Sequence, residues 1–171
     1  MRNVTLIGVP GAGKSTVGVV LAKILGFEFI DSDLLIQARE GRLLWQIIEQ
    51  DGIEGFWKIE ERVNGSITAD RAVIATGGSV IYGEKAMEHL RRISTVVYLR
   101  HSYEVIRGRL GDLSKRGVTV QPGYTLLDLY NERTPLYEKY AHICFDCGHG
   151  EVSDIAMALA ERIKALYGGA V

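Results

Sequence analysis

Short apolar runs alternate along the chain with longer segments in which apolar residues recur every three or four positions. The short runs are rich in Val and Ile and apolar on both faces, which is typical of strands in a sheet covered on both sides. We predict strands over Asn3–Val9, Phe27–Asp31, Ala72–Thr76, Thr95–Leu99 and His142–Asp146. The helical period predicts helices over Lys14–Leu25, Asp33–Arg39, Leu43–Glu49, Glu54–Ala69, Glu84–Ile93, Ser102–Leu110, Leu126–Tyr140 and Val152–Leu166.

This order of strands and helices predicts an α/β fold with a parallel sheet and right-handed crossovers. The 171 residues have the length of one domain, and the sequence contains no linker or repeat. We therefore expect a single domain over residues 1–171. The least regular stretch, residues 111–124, is rich in Gly and is predicted to be a mobile loop within that domain.

Composition limits the classes of function. The chain is 47% hydrophobic and 24% charged, which is typical of globular proteins and excludes disorder. A net charge of −1 gives no reason to expect a nucleic-acid or membrane partner. No apolar run reaches the ~18 residues of a membrane span, and Met1–Pro10 is not followed by a cleavage site. Two cysteines cannot form a disulfide scaffold, and we expect a cytoplasmic protein. We also expect a monomer.

A glycine-rich segment follows the first predicted strand and leads into an amphipathic helix. Gly8–Ser15 reads GVPGAGKS and matches the phosphate-binding pattern GxxxxGK[ST]. In this motif, backbone N–H groups and a helix N-terminus hold the phosphates, the lysine reaches the β- and γ-phosphates, and the hydroxyl ligates Mg²⁺. The pattern predicts a site for a nucleoside triphosphate with Mg²⁺, formed by Gly11, Ala12, Gly13, Lys14, Ser15 and Thr16.

The loop does not name the reaction, but the rest of the sequence narrows it. The guanine-reading NKxD of GTPases and the LSGGQ signature of transporter ATPases are absent. The chain is too short for a motor or helicase core with a second lobe. A kinase for a small molecule or a nucleotide remains, and a nucleotide-binding regulatory protein is the non-enzymatic alternative.

Two carboxylates follow the second predicted strand. Asp31 and Asp33 share one face of the chain and project at the carboxyl edge of the sheet, where ligands bind in α/β folds. Asp31 suits a position near Mg²⁺, and Asp33 could accept a proton from a substrate hydroxyl. The alternative for Asp33 is that it only caps the helix that begins there.

The motifs together resemble the shikimate kinase family, a member of the nucleoside-monophosphate-kinase-like P-loop group, over nearly the whole chain. The matching landmarks occur in family order: Gly8–Ser15, Asp31-Ser32-Asp33, Asp51-Gly52 with Phe56 and Glu60-Glu61, Thr76-Gly77-Gly78-Ser79, and Glu132-Arg133-Thr134-Pro135-Leu136-Tyr137. The resemblance implies a sheet order of 2-3-1-4-5 and substrate-binding helices at about 33–63. It also implies that ATP, with Mg²⁺ as cofactor, phosphorylates shikimate to shikimate 3-phosphate.

The resemblance also implies roles for individual residues. Asp33 would bind the shikimate hydroxyls, Gly77, Gly78 and Ser79 would face the substrate, and Arg133 would bind its carboxylate. His149 would lie near the adenine. In a basic lid over residues 111–124, Arg116 would stabilise the transferred phosphoryl group, and Arg107 is a weaker candidate on the nucleotide side.

Three positions depart from the family pattern. Trp57 stands where the family has an arginine that binds the substrate carboxylate, Ser79 stands for a third glycine, and Lys115-Arg116-Gly117-Val118 replaces Arg-Pro-Leu-Leu. We assign Trp57 to the acceptor pocket. Because the arginine is missing, another small hydroxylated acid, metabolite or nucleotide is an alternative acceptor. The segment Cys144–His149 contains a CxxC, but a core position for Cys144 is favoured over a metal site.

Overall fold

Five strands form one parallel sheet in the order β2-β3-β1-β4-β5. The computed structural model describes residues 3–110 and 123–168. The strands are β1 Asn3–Ile7, β2 Glu28–Asp31, β3 Ala72–Ala75, β4 Ser94–Arg100 and β5 Ile143–Asp146. The predicted fold class and strand order are confirmed.

The helices connect successive strands. In the described residues they are α1 Lys14–Leu25, α2 Ser32–Glu40, α3 Leu44–Asn64, α4 Glu84–Ile93, α5 Tyr103–Leu110, α6 Leu126–Tyr140 and α7 Val152–Leu166, with a 3₁₀ turn at Val80–Tyr82. None of the helices in these ranges is long and apolar enough to cross a membrane.

The centre of the sheet positions the loops that follow its strands. β1 lies between β3 and β4, with Val4 opposite Val73 on one side and Thr95 on the other. The apolar side chains of these central strands are buried, as expected for strands covered on both faces. Because the strands are parallel, the segments after β1, β2 and β3 all emerge at one edge, where ligands bind in such folds.

A second, smaller core holds the helices beside that edge. Ile36 of α2 packs with Ile47, Phe56 and Val63 of α3, separately from the core of the sheet. α3 spans the two predicted helices, but Gly52 interrupts its helical backbone with φ 71° and ψ 177°, at the predicted break. α3 ends at Asn64, before the predicted Ala69. Gly65 keeps right-handed backbone angles, and the Ser66 hydroxyl donates to the Val63 carbonyl, one of the last carbonyls of the helix.

One core prediction was wrong. Cys144 is exposed, because β5 is the edge strand of the sheet, whereas Cys147 is buried. Within residues 3–110 and 123–168, no group of three or more His, Cys, Asp or Glu side chains could hold a metal ion.

Candidate active site

The glycine-rich loop between β1 and α1 has the backbone that the sequence predicts. Gly11 and Gly13 have φ of 80° and 85°, a left-handed region that favours glycine. Lys14 is buried, and its Nζ donates to the carbonyls of Gly8 at 2.8 Å and Val9 at 3.1 Å. Burial lowers the pKa of Lys14 to about 8, against the opposing charge of Asp33. The loop thus holds an amine at the start of α1, beside the helix N–H groups that phosphates use.

Ser15 and Asp31 form a pair of oxygen donors next to the loop. The Ser15 hydroxyl donates to Asp31 Oδ2 at 2.8 Å. Asp31 Oδ1 accepts the N–H groups of Asp33 and Leu34, at 3.0 and 3.3 Å, and so caps α2. The capping alternative for Asp33 was therefore wrong, because the cap is the last residue of β2. A hydroxyl and a carboxylate side by side are the ligands that Mg²⁺ prefers.

A cavity of about 330 Å³ joins the loop to the carboxyl ends of β2 and β3. Its lining residues come from segments that are spread over more than half of the chain, from the glycine-rich loop to α6. The predicted site residues that line it are Gly11, Gly13, Lys14, Ser15, Thr16, Asp33, Gly77, Gly78, Ser79 and Arg133. The structure therefore brings together the phosphate side and the acceptor side of the predicted site.

The glycine turn after β3 lies against the ionisable side chains of the cavity. A Cβ at Gly77 would lie 2.4 Å from Glu60 Oε1 and 3.0 Å from Asp33 Oδ1. A Cβ at Gly78 would lie 3.2 Å from Arg133 Nη1. A larger residue at Gly77 would displace the Glu60 carboxyl, so the close approach of these side chains to the backbone favours glycine here.

Glu60 is a buried carboxyl group that the sequence analysis missed as a site residue. Its Oε2 accepts a hydrogen bond from the Ser79 hydroxyl at 2.5 Å. Its Oε1 and Asp33 Oδ1 have no hydrogen-bond partner in the described part of the chain. Burial raises the pKa of Glu60 to about 8 and also raises that of Asp33, whose neighbour Asp31 adds to the effect. Its position in the sequence could have indicated its burial, because Glu60 lies one helical turn after Phe56, on the same face of α3.

We expect Glu60→Gln to remove a pH-dependent loss of stability. The pKa of Glu60 rises from 4.5 to about 8 on folding, so the folded state holds one proton more than the unfolded state between these values. The free energy of unfolding of the wild type should therefore fall as pH rises through that window, by an amount on the order of 3 kcal/mol. Urea unfolding at pH 5 and pH 8.5 measures the difference, with Glu54→Gln as an exposed control on α3. An unchanged pH dependence in Glu60→Gln would show that Glu60 is ionised in the folded protein.

Arg133 contributes the cation on the acceptor side of the cavity. It lies on α6, is buried, and its Nε donates to the Tyr82 hydroxyl at 3.3 Å. The neighbouring Tyr137 is fully buried, and its hydroxyl donates to the Gly78 carbonyl at 2.6 Å. The glycine turn and Arg133 are thereby held against each other.

Trp57 lies elsewhere than predicted. It is not among the residues that line the main cavity. Its ring packs against the Tyr82 ring at a tilt of 33°, with centroids 4.5 Å apart. With Asp51, Gly52, Ile53 and Glu54 it lines a separate pocket on α3. Direct contact between Trp57 and an acceptor in the main cavity is therefore not supported, because α3 turns the indole towards the 3₁₀ turn.

The basic residues predicted beyond α4 have different outcomes. Arg107 is exposed and lies over the Tyr103 ring, while Arg109, not Arg107, donates to the Gly11 carbonyl at 3.2 Å. His149 lines a second pocket that also includes His101, whose Nε2 donates to the Ala12 carbonyl at 3.1 Å. That pocket thus adjoins the phosphate loop, and a nucleotide contact of His149 stays a prediction. Arg116 and residues 111–122 of the predicted lid lie outside the described residues.

The sheet order, the phosphate loop with its lysine, and the carboxylates that face it across one cavity define a small P-loop kinase. The family model for shikimate kinase matches residues 10–164. The chain belongs to the shikimate kinase family and is an ATP-dependent kinase that phosphorylates an alcohol group.

Individual relatives agree with this assignment. A shikimate kinase of Thiobacillus denitrificans is 37% identical, over 98% of this chain and 93% of its own. One from Histophilus somni is 40% identical, over 83% of each chain. The solved structure of a shikimate kinase from Acinetobacter baumannii in complex with shikimate covers 100% of this chain and 96% of its own, with a TM-score of 0.87 and 32% identity.

Proposed function

We propose that this protein transfers the γ-phosphoryl group of ATP to a hydroxyl of shikimate, with Mg²⁺ as cofactor, to form shikimate 3-phosphate and ADP. The observation that carries the proposal is the continuous cavity in which Lys14, Asp33 and Arg133 meet. These three side chains match the phosphate, hydroxyl and carboxylate groups of the two substrates.

The residues on the donor side hold the triphosphate. The N–H groups of the loop and of α1 bind the phosphate oxygens, and Lys14 contributes its charge where the transferred group leaves the β-phosphate. Ser15 and Asp31 would hold Mg²⁺, which supplies charge neutralisation at the β- and γ-phosphate oxygens when bound. Arg116 is proposed as a further cation on the transferred group.

The residues on the acceptor side orient the hydroxyl. The acceptor oxygen forms a bond to the γ-phosphorus as the bond from that phosphorus to the β,γ-bridging oxygen breaks, and Asp33 accepts the hydroxyl proton. The raised pKa of Asp33 brings its basicity closer to that required at neutral pH. Arg133 binds the carboxylate of shikimate, and a protonated Glu60 adds no negative charge beside this anion.

Acceptor-dependent release of ADP tests the proposed function. The purified protein with ATP and Mg²⁺ is given shikimate, an open-chain hydroxy acid, a ring alcohol without a carboxylate, or a nucleoside monophosphate. We expect ADP release to depend on shikimate, with at least a hundredfold lower kcat/KM for the ring alcohol because Arg133 then lacks its partner, a loss of about 2.7 kcal/mol. Preference for the nucleoside monophosphate would contradict the proposal.

A further inference from the structure

Tyr82 contacts both Trp57 and Arg133 at the edge of the acceptor cavity. It ends the 3₁₀ turn that follows the glycine turn, so it lies between α3 and α6. The Trp57 and Tyr82 ring centroids are 4.5 Å apart at an interplanar angle of 33°. The Arg133 guanidinium carbon lies over the Tyr82 ring, 5.3 Å from its centroid. A guanidinium held over an aromatic ring is attracted by the negative face of that ring, which restricts where the cation can move.

The Tyr82 hydroxyl adds a second constraint on Arg133. It accepts a hydrogen bond from Arg133 Nε at 3.3 Å and donates to Glu132 Oε1. Glu132 Oε2 accepts a hydrogen bond from the Tyr124 hydroxyl at 2.6 Å. These two phenols lower the pKa of Glu132, while burial and the bond to Glu132 raise the pKa of Tyr82. The Tyr82 hydroxyl therefore donates its proton to the Glu132 carboxylate, and its oxygen is left as the acceptor for the Arg133 Nε–H group.

The two constraints act on different parts of the guanidinium. The Tyr82 hydroxyl holds the Nε atom and the Tyr82 ring lies beneath the guanidinium carbon, whereas Nη1 lies on the side of Gly78, within the cavity lining. Binding of a carboxylate by arginine depends on the orientation of the guanidinium plane, because two parallel hydrogen bonds must form together. Holding Nε and the guanidinium carbon against Tyr82 therefore restricts how the remaining N–H groups of Arg133 turn towards the cavity.

We propose that Tyr82, supported by the ring of Trp57, is a positioning residue that orients Arg133 towards the acid group of the acceptor. This inference rests on the proposed function, in which Arg133 binds that group. It assigns the aromatic pair a role in acceptor affinity, although Trp57 itself does not line the cavity. The reacting atoms are not touched by Tyr82, so its effect should fall on acceptor binding and not on the chemical step.

Steady-state kinetics of Tyr82→Phe tests the proposal. This variant keeps both ring contacts and removes the hydroxyl. We expect the KM for shikimate to rise about threefold to tenfold, the range of one modest hydrogen bond. The kcat and the KM for ATP should stay within about twofold, since neither depends on Arg133 orientation. Tyr124→Phe is the matched control, because it removes the other phenol bound to Glu132 without touching Arg133, and its kinetics should equal those of the wild type.

A second background separates positioning from a general loss of structure. In Arg133→Lys the Nε contact cannot form, and the KM for shikimate should itself rise at least about tenfold. Adding Tyr82→Phe to Arg133→Lys should change KM by less than about twofold, because the partner of the hydroxyl is gone.

The outcomes distinguish this inference from the proposed function. If Arg133→Lys raises the KM for shikimate and Tyr82→Phe does not, the positioning role is overturned and the proposed function stands. If Tyr82→Phe raises KM equally in the wild type and in the Arg133→Lys background, its effect does not pass through Arg133, and the positioning role is again overturned. If the KM of Arg133→Lys equals that of the wild type, the assigned role of Arg133 fails and the inference fails with it. The Tyr82→Phe variant alone overturns the inference if kcat falls or the KM for ATP rises as much as the KM for shikimate.

Discussion

Replacing Lys14 by alanine is expected to lower kcat by at least about a thousandfold while the protein stays folded. The Lys14 ammonium lines the cavity, and its loss removes a cation from the place where negative charge develops in phosphoryl transfer. A thousandfold decrease corresponds to about 4 kcal/mol of transition-state stabilisation. Single-turnover formation of ADP at saturating ATP and shikimate measures the chemical step directly.

The fold should tolerate this change. The Lys14 amine is buried, so alanine removes the cost of keeping a charge away from water while it leaves two carbonyls, those of Gly8 and Val9, without that donor. These effects oppose each other, and we expect a melting temperature within a few degrees of the wild type. Lys23→Ala, an exposed position on the same helix, is the control. Activity of Lys14→Ala within about tenfold of the wild type would refute the assigned mechanism of the phosphate loop.

Asp33→Asn is expected to lower kcat by about a hundredfold to a thousandfold, with little change in ATP affinity. Asparagine keeps the size of the side chain but cannot accept the proton of the hydroxyl, and general-base catalysis contributes roughly this factor. Asp33 lines the acceptor part of the cavity, whereas Asp31 carries the hydrogen bond from Ser15. Kinetics should be combined with an equilibrium measurement of ATP binding in the presence of Mg²⁺.

The balance between the two effects identifies the role of Asp33. A loss of turnover with intact nucleotide binding supports its place at the acceptor hydroxyl. If ATP affinity collapses while turnover of bound substrates is kept, Asp33 belongs to the magnesium site and its role has been exchanged with that of Asp31.

The fold was largely predictable because its signals are local. Strands buried on both faces produce apolar runs: β3 is apolar throughout, and β1 and β4 each contain adjacent apolar residues that are buried in the sheet. The glycine-rich loop is a contiguous motif, and its glycines occur at the positions where the backbone has a positive φ. The break in α3 was also predictable, since Gly52 disfavours a continuous helix.

Side-chain partnerships across the cavity were not predictable in the same way. Glu60 and Ser79 are separated by 19 residues, and their hydrogen bond depends on how α3 packs beside the glycine turn. The packing of Trp57 against Tyr82 likewise depends on the 3₁₀ turn, which the sequence analysis did not predict. Helical periodicity shows that a residue faces inward, but tertiary packing decides which neighbour it meets.

The nucleotide side shows the same limit. Arg107, the predicted nucleotide residue, and Arg109 lie two residues apart on α5, and helical periodicity alone does not decide which of them faces the phosphate loop. Helix residues that are two positions apart point about 200° away from each other, so at most one of these two arginines can face the phosphate loop. In the structure Arg109 contacts the loop, through its hydrogen bond to the Gly11 carbonyl. A nucleotide contact of Arg107 stays a prediction.

The central claim is that one cavity brings the γ-phosphoryl group of ATP to a hydroxyl of shikimate. The most direct test is to incubate the unmodified protein with ATP, Mg²⁺ and shikimate and to identify the products by mass and by phosphorus NMR. The account predicts one phosphate ester on the 3-hydroxyl of shikimate for each ADP formed, with no inorganic phosphate beyond that of a control without enzyme. Unchanged shikimate, or release of inorganic phosphate in place of the ester, would contradict it.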